Sequence, residues 1–308
     1  MSDSKRPFVS VIIPVLNDAE RLGQCLAALA QQTYSSKEVE VLVIDNGSRS
    51  LAATEQVIAS FGPAKLAIET TPGSYAARNH GLSLAKGDIL AFTDADCIPA
   101  PDWLEQGVNA LTASPPIDMV VGPIEIFARD GNRPNLLELY QLMVPPFPQE
   151  TYLRQFKGGA TANILVRRLI VDRVGPFNQQ LKSFGDLEWG ARIFAAGYRQ
   201  QYVPAVRVRH PARHSWQEIT QKNARVSGGV YDRFMPDKGS WWQRQKALLR
   251  LVWDDFFYDG AVFSTILRHR GLAQPGQKVR LVLVVGWLRC LSAIEKIRLH
   301  FGGVSQRF

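Results

Sequence analysis

Three apolar runs in the first third of the chain each lead directly into a polar cluster. "FVSVIIP" runs into Asn17 and Asp18, "VEVLVID" into Asp45 to Ser48, and "DILAFTD" into Asp94 to Cys97, with a further strand expected over "KLAIE". Runs this short and this continuous match strands buried on both faces rather than half-exposed strands that alternate. Helical stretches separate them: Asp18 to Gln31, with apolar Leu22, Leu26 and Leu29, then Leu51 to Phe61 and Ser74 to Lys86. Strand–helix alternation predicts an α/β protein with a mostly parallel sheet flanked by helices. In such sheets ligands bind beyond the carboxyl ends of the strands, so the polar clusters are expected along one rim.

The rest of the chain is read more coarsely. A helix is expected from Trp103 to about Ala113 and a single strand over "MVVGPIEIF"; a second block opens at "GGATANILVRR", followed by a helix over 187–196 and a single strand over "QQYVPAVRV". The last segment, "VRLVLVVGWLRCLSAIEKIRLHF", is apolar nearly all round to Leu288 and then amphipathic, with Arg289, Ser292 and Lys296 on one side. Arg280 and Arg289 leave too short an uncharged stretch to span a bilayer, so an in-plane interfacial helix with snorkelling cations is expected. The expected organisation is a catalytic domain over 1–235 and a basic, helical, membrane-associating extension over 236–308.

Charge supports that division. Of a net +8, residues 239–308 carry eleven Lys and Arg against four Asp and Glu. With no recognised nucleic-acid motif beside it, this basic excess points to an anionic membrane surface rather than to nucleic acid. Three widely spaced cysteines (Cys25, Cys97 and Cys290) form no CxxC pair, which argues against a disulfide framework or zinc site and fits a reducing cytoplasm. The polar lead "MSDSKRPF" does not read as a signal peptide.

Asp94 and Asp96, one residue apart at the end of an apolar strand, pose an electrostatic problem. Two adjacent carboxylates repel unless a cation neutralises them. A divalent metal with hard-oxygen preference, Mn²⁺ or Mg²⁺, would do so while bridging to a substrate diphosphate. The competing explanation is a solvated turn with an Asp cap for the helix near Pro101.

Taken together, "VSVIIPVLN", "VLVIDNGS", "GSYAARNHGLSLAKGDILAFTDADCIPAPDWL" and "FGDLEWGARIFAAGY" resemble the family 2 glycosyltransferases of GT-A fold, over roughly Phe8 to Val230. The resemblance implies an inverting transferase moving a sugar from a nucleotide-sugar donor to a glycan or lipid-linked acceptor in cell-envelope or exopolysaccharide synthesis. It implies donor contacts from Pro14, Leu16, Asn17, Asp45, Arg78 and Asp94, and a metal on Asp96 with Asp94. His210 is a further metal or diphosphate candidate, with His214 competing for the role. The catalytic base falls in Gly185-Asp186-Leu187-Glu188, where Asp186 leads and Glu188 is second, because Gly185 stands where relatives carry a glutamate. Asn46 stands where many relatives have a second Asp. Gly73 is expected to leave helix N–H groups free for an anion. Arg78 is otherwise a helix-surface cation, and Asp186 otherwise a helix cap. By the same resemblance Gly158, Gly159 and Asn163 shape an acceptor pocket, while Gln217, Lys222 and Arg225 sit at helical spacings that reach phosphate or line a solvated face.

Rival classes are weaker. An NAD-dependent dehydrogenase lacks its G-x-G-x-x-G after the first strand, and a nucleotidyltransferase lacks a Gly-rich basic loop there. A non-catalytic nucleotide-sugar-binding scaffold is disfavoured by the presence of Asp94, Asp96 and Asp186.

Overall fold

The computed structural model describes residues 6–235, 239–257, 260–269 and 275–306. Most of the polar N-terminal lead, and Asp259, Arg270 and Arg307 of the charged C-terminal region, lie outside the described residues. The chain opens with β1 (Val9–Val15), α1 (Ala19–Ala30), β2 (Val39–Asp45), α2 (Leu51–Ala59), β3 (Ala64–Ile68), α3 (Ser74–Leu84) and β4 (Ile89–Phe92). It continues through β5 (Ile98–Pro99), α4 (Trp103–Thr112), β6 (Met119–Val121), β7 (Ile124–Phe127), α5 (Leu136–Met143), α6 (Gln149–Phe156) and β8 (Ile164–Arg167). It closes with α7 (Arg168–Val174), α8 (Gly185–Ala195), β9 (Gln200–Tyr202), β10 (Val208–Pro211), α9 (Trp216–Phe234), α10 (Trp241–Phe257), α11 (Gly260–Arg268) and α12 (Pro275–His300).

Two compact units result: Met1–Glu125, Phe147–Gln180 and Phe184–His210 form the first, and Ile126–Pro146, Leu181–Ser183 and Pro211–Phe308 the second. The first carries a seven-stranded sheet in the order β3-β2-β1-β4-β8-β6-β9. The expected parallel core is present: β1 lies between β2 and β4, parallel to both. Val11, Ile12, Ile13, Val43, Ile44, Ala91 and Phe92 are buried, as doubly covered strands require. Helix α1 covers the sheet through Leu22, Cys25, Leu26 and Leu29, spaced to share one face.

One strand breaks the parallel pattern, and it matters for the site. β8 runs antiparallel to β4, with Phe92 opposite Ile164. The residues preceding β8 therefore arrive at the carboxyl end of β4, the rim where the polar clusters gather. Two expected single strands are each divided. "MVVGPIEIF" splits into β6 and β7 at Gly122 and Pro123, because Asn163 Nδ2 donates to the carbonyls of Pro123 (2.9 Å) and Val206 (2.7 Å). A Cβ on Gly122 would sit 1.9 Å from the Val206 oxygen, so this crossing accepts only glycine. "QQYVPAVRV" likewise becomes β9, a turn closed by Val206 N–H on the Val203 carbonyl (3.1 Å), and β10.

In the second unit, capping boxes start α5 at Asn135 with Glu138 and α9 at Ser215 with Glu218. α12 packs through Val284 and Leu288 against Leu137 and Ile219, and through Leu281 and Val285 against Val262 and Ile266. The expectation for its polar side is corrected here. Ser292 and Lys296 face inward, not toward solvent: Lys296 is 3% exposed and its Nζ lies 2.5 Å from Asp255 Oδ1, which also accepts the Ser292 hydroxyl (2.9 Å). A lysine whose stem is surrounded by helices has no path to water, so it pairs internally instead of snorkelling.

Candidate functional site

The site is built on the carboxyl rim of the first unit's sheet. Pro14 pairs in register with Ile44, next to the strand ends. Asn17, just beyond β1, adopts a left-handed φ of 55°. Its backbone N–H donates to Ser48 Oγ (2.8 Å), and its side-chain Oδ1 accepts the Arg49 N–H (2.8 Å), lacing the loops after β1 and β2 together. Asp45 ends β2 buried; its Oδ1 accepts the N–H groups of Gly47 (3.0 Å) and Ser48 (2.8 Å), and its Oδ2 the Thr54 hydroxyl (3.2 Å). Gly47 takes a φ of 91° to make that turn, a conformation glycine adopts without steric cost.

Asn46 explains its own departure from the family pattern. Its Nδ2 donates to the carbonyls of Glu69 (2.9 Å) and Thr71 (2.8 Å), while its Oδ1 accepts the Gly73 N–H (2.7 Å). Two donors and one acceptor are needed at this point, and an aspartate has no donor when ionised. The same contact fixes Gly73, the residue that precedes α3.

Arg78 is not a surface cation. It is 4% exposed, and its Nη2 pairs with Asp94 Oδ1. Its buried Nε has no hydrogen-bond partner. Asp96 pairs with His210, whose Nε2 lies 3.2 Å from Asp96 Oδ2; the imidazole is 2% exposed and packs against Phe147 with ring centroids 5.0 Å apart. β10 delivers it, through the antiparallel pairing of Arg209 with Ile98 in β5. His214 instead pairs with Glu218 at the start of α9. Asp18 lies near enough to matter electrostatically: burial, reinforced by the negative charge of Asp96, holds its carboxyl above the usual range although Arg21 opposes the shift. Asp102 does not cap α4 with its side chain, which accepts from Gln106 instead (3.1 Å).

Among the described residues no three His, Cys, Asp or Glu side chains form a ready cage for a metal. The donor set nevertheless suits a divalent ion completed by phosphate. Asp96 and His210 converge as an oxygen and a nitrogen donor with Asp94 on the same turn, and Mg²⁺-type ions are commonly held by one or two carboxylates plus substrate phosphates.

The third element is the start of α8. Phe184, at a φ of 59°, precedes the helix, so Asp186 sits inside its first turn and is not the cap. Asp186 Oδ1 accepts the Tyr75 hydroxyl (3.3 Å) and the Leu187 N–H (3.0 Å), and Oδ2 accepts the Thr161 N–H (3.4 Å). Burial pushes the Asp186 carboxyl above the ordinary carboxylate range, against the pull of Arg78 and of those backbone donors. Glu188 is committed elsewhere: Arg192 Nε donates to its Oε1 (2.8 Å), and the same guanidinium donates to the Val174 carbonyl (2.9 Å).

Tyr75 and the Thr161 N–H were invisible to sequence reasoning. Nothing in "GSYAARN" marks the tyrosine, and a backbone donor leaves no residue signal. Asn163 proves to be a fully buried anchor that accepts from Trp103 Nε1 (2.9 Å) rather than a pocket residue. Gly158 instead lets α8 approach, since a Cβ on Gly190 would lie 2.4 Å from the Gly158 Cα. A Cβ on Gly159 would meet Val121 at 2.7 Å, so that glycine too serves packing. Gln217, Lys222 and Arg225 belong to α9 in the second unit.

Comparison with known proteins bears on the family and the fold. The sequence profile of Glycosyl transferase family 2 matches residues 10–175. Glycosyltransferase AglE of Haloferax volcanii is 38% identical over 240 residues, covering 76% of this chain and 77% of that protein. Among solved structures, the mannosyltransferase PcManGT from Pyrobaculum calidifontis, in complex with GDP-Man and Mn²⁺, superposes with a TM-score of 0.62 at 18% identity, over 97% of this chain and 88% of that one. TarS 1-349 of S. aureus, in complex with UDP-GlcNAc, superposes at 0.55 with 16% identity, over 96% and 90%. The profile match over more than half the chain and the relative at 38% identity establish that this chain belongs to glycosyl transferase family 2, with the GT-A fold.

Proposed function

We propose that this glycosyltransferase works by inversion with a divalent metal, moving a sugar from a nucleotide-sugar donor to a hydroxyl of a glycan or lipid-linked acceptor. One observation carries the reading. Arg78, buried, pairs with Asp94 of the D-x-D turn and also lowers the proton affinity of Asp186, so one cation links the leaving-group side to the base side. Asp186 takes the acceptor hydroxyl proton. The freed oxygen lone pair forms the bond to the anomeric carbon, and the carbon–oxygen bond to the diphosphate breaks with its electron pair on phosphate. Mn²⁺ or Mg²⁺, held by Asp96 and His210 with Asp94 beside them, would supply Lewis-acid neutralisation of that phosphate. Arg78 Nε, buried without a partner, is suited to a phosphate oxygen. Asn17 and Asp45 hold the loops that would border the nucleoside.

A lipid-linked acceptor at the cytoplasmic membrane face is supported by α10. Trp241, Trp242 and Trp253 are each more than 60% exposed, on a helix that also carries Arg244, Lys246 and Arg250. Exposed tryptophan beside cations suits a headgroup zone. No described helix is long and apolar enough to cross a membrane.

Because similar structures hold GDP-Man and UDP-GlcNAc, a thermal-shift screen with Mn²⁺ should begin with GDP- and UDP-sugars and extend to dTDP- and CMP-sugars. The donor that stabilises the protein should be hydrolysed slowly with Mn²⁺, and Asp96→Ala should abolish that hydrolysis. Unchanged hydrolysis in this variant would remove the metal role.

A further inference from the structure

Tyr75, at the second position of α3, reaches the start of α8. Its hydroxyl accepts the Gly185 N–H (2.9 Å) and faces Asp186 Oδ1 (3.3 Å). A phenol has one proton, and the Gly185 N–H already takes one of its lone pairs, so the remaining proton points at the carboxylate. The ring is 8% exposed and stacks on Phe177 with centroids 5.9 Å apart; Phe177 in turn lies 4.3 Å from Trp189 and 5.5 Å from Phe92. This packing leaves the hydroxyl little freedom to move.

The same ring accounts for Gly185. A Cβ there would lie 2.6 Å from Tyr75 Cε2, so no larger residue fits at 185 while Tyr75 holds its place. Tyr75 and Leu187 N–H fill Oδ1 from one side, whereas Oδ2 receives only the longer contact from Thr161 N–H.

We infer that Tyr75 is a positioning residue: it fixes the Asp186 carboxylate through Oδ1 and leaves Oδ2 as the oxygen that receives the acceptor proton. The inference rests on the reading of Asp186 as base. The groups facing Asp186 are Arg78 and Tyr75 from α3 and Tyr152 from α6, while Glu188 of its own helix is held by Arg192.

The test compares wild type, Tyr75→Phe, Tyr75→Leu and Asp186→Asn, using the nucleotide-sugar selected by thermal shift and following Mn²⁺-dependent donor turnover across pH. Tyr75→Phe keeps the ring and its packing. Loss of a hydrogen bond to a charged group is expected to lower kcat about tenfold with the donor KM unchanged. It should also move the acidic limb of the kcat profile upward by about one pH unit, because a lost donor destabilises the charged carboxylate. Tyr75→Leu should lose at least as much. If Asp186→Asn keeps full turnover, the base assignment is wrong and the inference goes with it. If Asp186→Asn is inactive while Tyr75→Phe matches wild type in kcat and in its acidic limb, Tyr75 is only a packing residue and the base assignment stands.

Discussion

His210 Nε2 lies 3.2 Å from Asp96 Oδ2, with the imidazole 2% exposed and the carboxylate at the mouth of the sheet. The pair unites a loop after β4 with a strand more than a hundred residues later. It converts a two-carboxylate turn into a mixed oxygen and nitrogen donor set. His210→Gln, which keeps polarity but loses the imidazole geometry, should weaken Mn²⁺ affinity by about 10- to 100-fold. Isothermal titration with Mn²⁺ in the presence of UDP and of GDP measures this; unaltered affinity would place the metal away from His210.

Turnover should depend on pH in a direction set by Asp186. Its folded-state carboxyl lies above the usual carboxylate range because it is buried. A base works only when deprotonated, so kcat should be low below this raised pKa and climb as pH rises through it. The limb should therefore fall above the range of an exposed aspartate. A plateau extending unchanged down through that range would contradict the assignment.

Asn46→Asp, which keeps the side chain's size, should destabilise this protein. An ionised carboxylate would face the Glu69 and Thr71 carbonyls that now receive two N–H bonds. The expected loss is about 1–3 kcal/mol, read from denaturant midpoints. It should shrink as pH falls, since protonation of the new carboxyl returns one donor.

In the second unit, Lys296→Met should be costly for a different reason. It would leave the Asp255 carboxylate, 13% exposed at its side chain, with the Ser292 hydroxyl but without its cation. Removing one partner of a buried ion pair is expected to cost about 3–5 kcal/mol. The double variant Lys296→Met with Asp255→Leu should recover part of that loss, and a thermal melt of the three proteins decides it.

The tryptophans of α10 predict the membrane behaviour. Trp241→Ser together with Trp242→Ser should reduce cosedimentation with phosphatidylserine-containing vesicles without changing donor turnover in solution. Equal cosedimentation would remove α10 from the membrane contact.

The amino-acid sequence alone determined the parallel heart of the sheet. Val9–Val15, Val39–Asp45 and Ile89–Phe92 are local runs whose burial follows from their own composition, and they deliver Asn17, Asp45 and Asp94 to one rim without help from distant segments. It also determined that Asp186 would begin a helix beside a glycine. Tertiary structure decided the rest. The antiparallel entry of β8, the choice of His210 over His214 beside Asp96, the burial of Arg78 against Asp94 and the inward turn of Lys296 all depend on partners far along the chain. Tyr75 and Gly185 show the limit most clearly: neither residue explains the other until folding brings a ring to within 2.6 Å of where a Cβ would stand. Periodicity and composition report how a segment meets solvent, whereas a contact across 110 residues is a property of three-dimensional packing and leaves no local trace.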